Sequence, residues 1–207
     1  MPDEVSLDLA PRELIAPRVR RVALLAVVAG IVAGVVVSLL ANWLAGVVVA
    51  LVVGAPTALA SIGVLRRRLV LSGSVVHAHR AITHRTIDVR RAVTAELVVR
   101  TGRVSIVTLR IGDGSHTVNV PLAVYAGAAG RELHILGLRR LADALDGSEL
   151  VAAVALSTVL VQQLRAEARD AAAGERPLYR AVQRMLDAGR GPTTTLTDSE
   201  VAALLDG

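Results

Sequence analysis

The side chains best suited to chemistry in this sequence are its histidines. His77 and His79 flank Ala78, so on a strand both imidazoles project from one face. Two such imidazoles plus a third ligand (His84, His116 or Asp88) have the makings of a zinc site. The same groups would change charge near neutral pH. As polar residues on the wet face of a sheet they would read identically. The spacing names two ligands, His77 and His79, with His84 the nearest third candidate, and it assigns no metal.

Arginine is the second resource. All 23 basic residues are Arg; the chain has no Lys and no Cys. That excludes a phosphate-loop lysine, a Schiff base, thiol catalysis, Cys-ligated zinc and iron–sulfur clusters. No GxSxG elbow, GxGxxG loop or HExxH helix is present, so no catalytic residue and no cofactor is assigned. The net charge of +5 is unevenly spread. Residues 1–21 balance to zero, Arg66, Arg67 and Arg68 contribute +3, residues 69–147 carry +4, and residues 148–207 carry −2. Arg66, Arg67, Arg68, Arg80, Arg85, Arg90 and Arg91 are the candidates for meeting anionic lipid or an acidic partner. Nucleic acid is not expected: aromatics for base stacking are nearly absent, with Trp43, Tyr125 and Tyr179 alone.

The elements that would position these groups begin with a long apolar block. Residues 22–65 contain no charge, a run of 44. One helix of that length would reach about 66 Å, roughly twice a bilayer's hydrocarbon core. It is also far longer than the apolar core of a cleaved signal peptide. Two helices fit, at about 22–41 and 45–65, with a turn at Asn42-Trp43. Arg12, Arg18, Arg20 and Arg21 precede the block and Arg66, Arg67 and Arg68 follow it. The positive-inside rule then puts both termini in the cytoplasm and the turn outside, in a plasma (inner) membrane. Ala26, Gly30, Gly34 and Ser38 recur every four residues, as do Gly46, Ala50, Gly54 and Ala58. Such rows let helix backbones approach closely, either within the hairpin or between subunits. No ionisable group lies inside the block, which argues against a proton or ion path.

Past residue 68 the pattern changes to short runs of period two. Gly73-Ser74, Thr101-Gly102 and Gly112-Asp113-Gly114 punctuate them as hairpin turns. Leu97 and Val99, then Val107, Leu109 and Ile111, then Val118, Val120 and Leu122 mark one apolar face of an antiparallel sheet. A glycine-rich loop follows at 126–130, then an amphipathic helix at 136–145 with the sequence LGLRRLADAL. The order of six or seven strands and one helix, entered through Arg66-Arg67-Arg68, resembles the bacterial pleckstrin-homology-like (PH-like) domains that follow a transmembrane hairpin. The resemblance covers residues 66–147. It implies two roughly orthogonal sheets in a partly open barrel, a helix plugging one end, and binding of phospholipid headgroups or protein partners in place of catalysis.

The remainder, 148–207, reads as a helical tail. Ser148 is placed to cap a helix over 149–173, a second helix spans 177–188, residues 189–195 form a linker, and Thr197-Asp198-Ser199-Glu200 is a capping box for a last helix. The whole is an α+β membrane protein: cytoplasmic segment 1–21, transmembrane hairpin 22–65, cytoplasmic PH-like β domain 66–147 and cytoplasmic tail 148–207. The expected role is a non-enzymatic adaptor, scaffold or accessory subunit. Its partners would be membrane lipid and a protein or second copy, met through the spans or the tail. The alternatives are a metal- or pH-responsive regulator using His77 and His79, or an enzyme of unrecognised type.

Overall fold

A computed structural model describes residues 4–9, 12–40, 42–65, 68–79 and 84–205. The chain divides into a helical unit and a mixed α+β unit.

The helical unit is α1 (Arg12–Leu40) and α2 (Trp43–Leu65). The first begins ten residues before the apolar block, because the Arg, Glu, Leu and Ala of the preceding segment favour helix. Asn42 starts the second: its side-chain oxygen accepts the Ala45 N–H at 2.8 Å and its carbonyl accepts that of Gly46 at 3.2 Å. The small-residue rows face each other within the chain. A Cβ on Gly34 would lie 2.7 Å from the Gly46 carbonyl oxygen and 2.8 Å from the Ala50 Cβ. One on Gly30 would meet the Ala50 carbonyl at 2.9 Å, and Gly54 lies over the Ala26 carbonyl and Gly30. The large side chains point the other way. Leu24, Leu25, Ile31, Val32, Leu51 and Val52 are all more than half exposed. Val19–Leu40 is long and apolar enough to cross a membrane.

The α+β unit contains two sheets. The first runs β1 (Glu4–Ser6), β2 (Arg68–Ser72), β3 (Val75–His79), β4 (His84–Asp88), in that spatial order. The second comprises β5 (Thr94–Arg100), β6 (Ser105–Gly112), β7 (Thr117–Ala126), β8 (Ala129–Glu132) and β9 (Thr193–Thr195), ordered β8-β7-β6-β5-β9. The helices are α3 (Ile135–Asp146), α4 (Val151–Ala168), α5 (Pro177–Asp187) and α6 (Asp198–Ala203). The period-two residues of β5, β6 and β7 face one core with Leu71, Val76 and Ile87 of the first sheet and Leu138, Leu141 and Leu145 of α3. At 3.3 Å per residue, this alternation sends every second side chain inward. A bulge opposite Val107 and Thr108 turns both Leu122 and Ala123 inward and accommodates Pro121, which has no N–H for the ladder.

The fold differs from the sequence reading at several further points, and Leu150 in place of Ser148 precedes the first tail helix. Residues 4–9 are not a separate segment. Glu4, Val5 and Ser6 pair antiparallel with Ser72, Leu71 and Val70, and Leu7 is fully buried. The expected loop at 126–130 is a two-residue turn between β7 and β8, with Gly127 at φ +63. The expected linker at 189–195 supplies β9, an edge strand on β5. The first tail helix ends at Ala168 instead of 173: Asp170 takes φ +50 and the Ala171 N–H reaches the Ala166 carbonyl at 2.9 Å, a Schellman closure without glycine. The tail is therefore core. Leu156, Val159 and Leu160 of α4 and Leu178, Val182 and Met185 of α5 are buried, and the side chains of Arg180 and Arg184 donate to the last carbonyls of α6.

Gly34→Leu should force the two N-terminal helices apart, since the obstructing atoms include Gly46 backbone. We expect a loss of about 1–3 kcal/mol, the usual range for overpacking, read as a lower unfolding temperature in detergent. Val36→Leu, on the outer surface, should leave it unchanged.

Candidate functional site

The chain leaves the α+β unit after β1 and returns to it at β2, so both connections to the helices start from one end of one sheet. Backbone bonding closes that end. The Leu7 N–H donates to the Leu69 carbonyl at 2.9 Å and the Leu69 N–H donates to Asp8 Oδ1 at 3.3 Å.

Those of the singled-out arginines that fall among the described residues, Arg68, Arg85, Arg90 and Arg91, lie at different places on the first sheet and its ends. Arg66, Arg67 and Arg80 lie outside the described residues. Arg68 opens β2 at the connecting end and is exposed. Arg85, on β4, donates to the Thr117 carbonyl at 3.2 Å and so ties the first sheet to the start of β7. Arg90 and Arg91 sit in a single 3-10 turn, Val89–Arg91, at the opposite end: the Val89 N–H bonds to the Ser74 carbonyl at the β2–β3 turn. A sheet length of about 13 Å separates that turn from Arg68. Arg90 has a place in the fold. A Cβ on Gly147 would meet its Nε at 2.9 Å, so the guanidinium lies against the C-terminus of α3, where the peptide dipoles favour a cation.

His77 and His79 share a face of β3, opposite to the buried Val76 and Ala78. His77 Nδ1 is 3.4 Å from Thr86 Oγ1 on β4, and His84 opens that strand. His116 belongs to the β6–β7 turn, where its N–H and that of Ser115 bond to Asp113 and hold that carboxyl below its ordinary range. Among the described residues no three His, Asp or Glu side chains come together as metal ligands.

The tightest constellation is one the sequence reading passed over. Glu132, at the end of β8, accepts from Tyr125 Oη at 2.5 Å, from Gln163 Nε2 at 2.7 Å and from Arg176 at 2.9 Å. Gln163 is fully buried and accepts the Leu178 N–H at 3.1 Å. Tyr125 stacks edge to face on Tyr179, with ring centroids 5.1 Å apart. Gly130, opposite Tyr125, leaves the space its ring occupies. Burial and the Glu132 bond both push the Tyr125 hydroxyl pKa upward, so it remains a donor. Glu167 lies beside this group with Oε2 enclosed; burial, then the Glu132 charge, raises its pKa.

No protein-family model, curated protein or solved structure matches the chain. The chemistry must be read from the geometry. Both oxygens of Glu132 are engaged by three donors from three different elements, so it fastens β7 and β8 to α4 and to the segment entering α5. The available signal was spacing: Gln163 and Glu167 continue the stripe of Leu156, Val159 and Leu160 at three and four residues.

Arg176→Met should cost about 3 kcal/mol, because it leaves the Glu132 charge buried with only neutral donors; chemical denaturation in detergent measures it. Glu167→Gln should act with opposite sign. Folding favours the protonated Glu167, so its contribution is present in acid and is lost as pH rises through its elevated pKa. The variant should therefore unfold at higher temperature than the parent at neutral pH, with the difference fading below the ordinary carboxylate range.

Proposed function

We propose that the chain is a two-span integral membrane protein whose cytoplasmic α+β unit is a PH-like module. That module serves without catalysis as an adaptor, scaffold or accessory subunit for membrane partners or anionic lipid. The observation carrying this reading is the pairing of β1 with β2. Strands on either side of the helical pair are hydrogen-bonded neighbours, so the excursion between them starts and ends on one side. An even number of crossings satisfies that constraint, and α2 has 23 residues with which to return.

The surface of the helices supports the same reading. Small residues inside and large aliphatic ones outside is the arrangement suited to lipid, where close backbone packing holds helices together. In water, an apolar belt of that extent is a liability. Arginines on both flanks of the pair favour a cytoplasmic unit. The PH-like assignment is supported by the order of elements: β2 through β8 form two sheets of successive strands and α3 follows directly. The strongest polar cluster in the α+β unit, around Glu132, holds α4 and the segment entering α5 in place.

The lack of cysteine makes topology directly measurable. Asn42→Cys in intact cells should react with a membrane-impermeant maleimide, whereas Ser199→Cys should react only after lysis. Equal labelling of both before lysis, or release of the protein from membranes by carbonate, would overturn the reading.

A further inference from the structure

We infer that the start of α3 is a second, shallow membrane contact, with Ile135 and Leu136 entering the headgroup boundary of an anionic bilayer. This rests on the two-span reading above. Ile135 and Leu136 are 48% and 56% exposed although they open an otherwise well-buried helix. Their position in the α+β unit is specific. A Cβ on the next residue, Gly137, would meet the Ser6 carbonyl at 3.3 Å, so the start of α3 lies against the end of β1. That is the end at which the chain departs for α1 and re-enters at Arg68. The other end of α3, about 18 Å away, lies against Arg90.

Charge is arranged to match. Arg139 and Arg140 follow Ile135 and Leu136 at four residues, so each apolar side chain has an arginine one turn behind it. Both are exposed, as are Arg131 and His134 just before the helix. Apolar tips backed by arginines form the pattern of an interfacial helix, whose apolar groups enter the boundary while guanidinium groups stay at phosphate level. An anionic bilayer supplies charge opposite to the exposed Arg131 and Arg139, which an apolar protein groove does not.

The test uses the full chain with single cysteines carrying an environment-sensitive fluorophore, reconstituted into vesicles of mixed phosphatidylglycerol and phosphatidylcholine. Probes go at Leu136→Cys, at Val32→Cys on the outer face of α1, and at Val93→Cys, an exposed position beside the Arg90 end of α3. We expect the Leu136 probe to shift to the blue and to be quenched by lipid spin-labelled near the headgroup. The shift should shrink with Arg139→Glu or in pure phosphatidylcholine, and the Val93 probe should stay in water. If the Val32 probe is quenched and the Leu136 probe is not, this inference fails and the two-span reading stands. If the Val32 probe is not quenched, both fail. A blue shift at Leu136 without lipid quenching that grows with protein density would assign the patch to a second copy, which also overturns the inference.

Discussion

Three residues of backbone pairing constrain the architecture more than any other contact. Glu4, Val5 and Ser6 pair with Ser72, Leu71 and Val70 across some 65 positions of sequence, and α1 and α2 lie between them in the chain. A three-residue edge strand has little stability by itself. It holds because Leu7 is buried in the core, Asp8 accepts the Leu69 N–H, and α3 packs over Ser6. The strands that precede and follow the helices in sequence are thus held together within the α+β unit. Wherever the helices go, they return to the strand beside their point of departure.

The two units solve opposite solvation problems. In the α+β unit aliphatic side chains turn inward and the Glu132 carboxylate is held by three donors, while Glu167 Oε2 beside it is enclosed without a hydrogen-bond partner. In the helical unit glycine and alanine turn inward and Leu, Ile and Val outward. The 53% hydrophobic composition is the sum of these two patterns. Aromatic residues contribute little to either pattern: the core is mostly Leu, Val, Ile and Ala, joined by Met185 and by Tyr125, whose hydroxyl also bonds Glu132.

Much of this was legible in the residues. Period-two alternation marked β5, β6 and β7 because their faces meet one continuous core, and the four-residue rows marked the seam between α1 and α2. The capping box of Thr197 and Glu200 forms with both reciprocal bonds. What escaped reading depends on distant partners or on backbone states with no composition signal. β1 and β9 are too short to show a period and exist because a neighbouring strand lends them a ladder. Asp170 ends α4 in a conformation usually left to glycine. Arg68 and Arg90 are near each other along the chain, but the three successive strands β2, β3 and β4 separate them to opposite ends of the sheet. Leu136 reads as the start of an ordinary amphipathic helix that leaves Ile135 outside, and only the fold places Ser6 beside Gly137.

The central claim is that an excursion through the membrane begins and ends on two paired strands. Its most direct test joins Glu4→Cys to Ser72→Cys, opposite each other in the ladder, in a chain carrying a protease site at Asn42. After oxidation in native membranes, protease added from outside should cut the chain while the two fragments remain linked until a reductant is added. Fragments that separate without reductant, or a site that is cut only from the cytoplasmic side, would contradict the account.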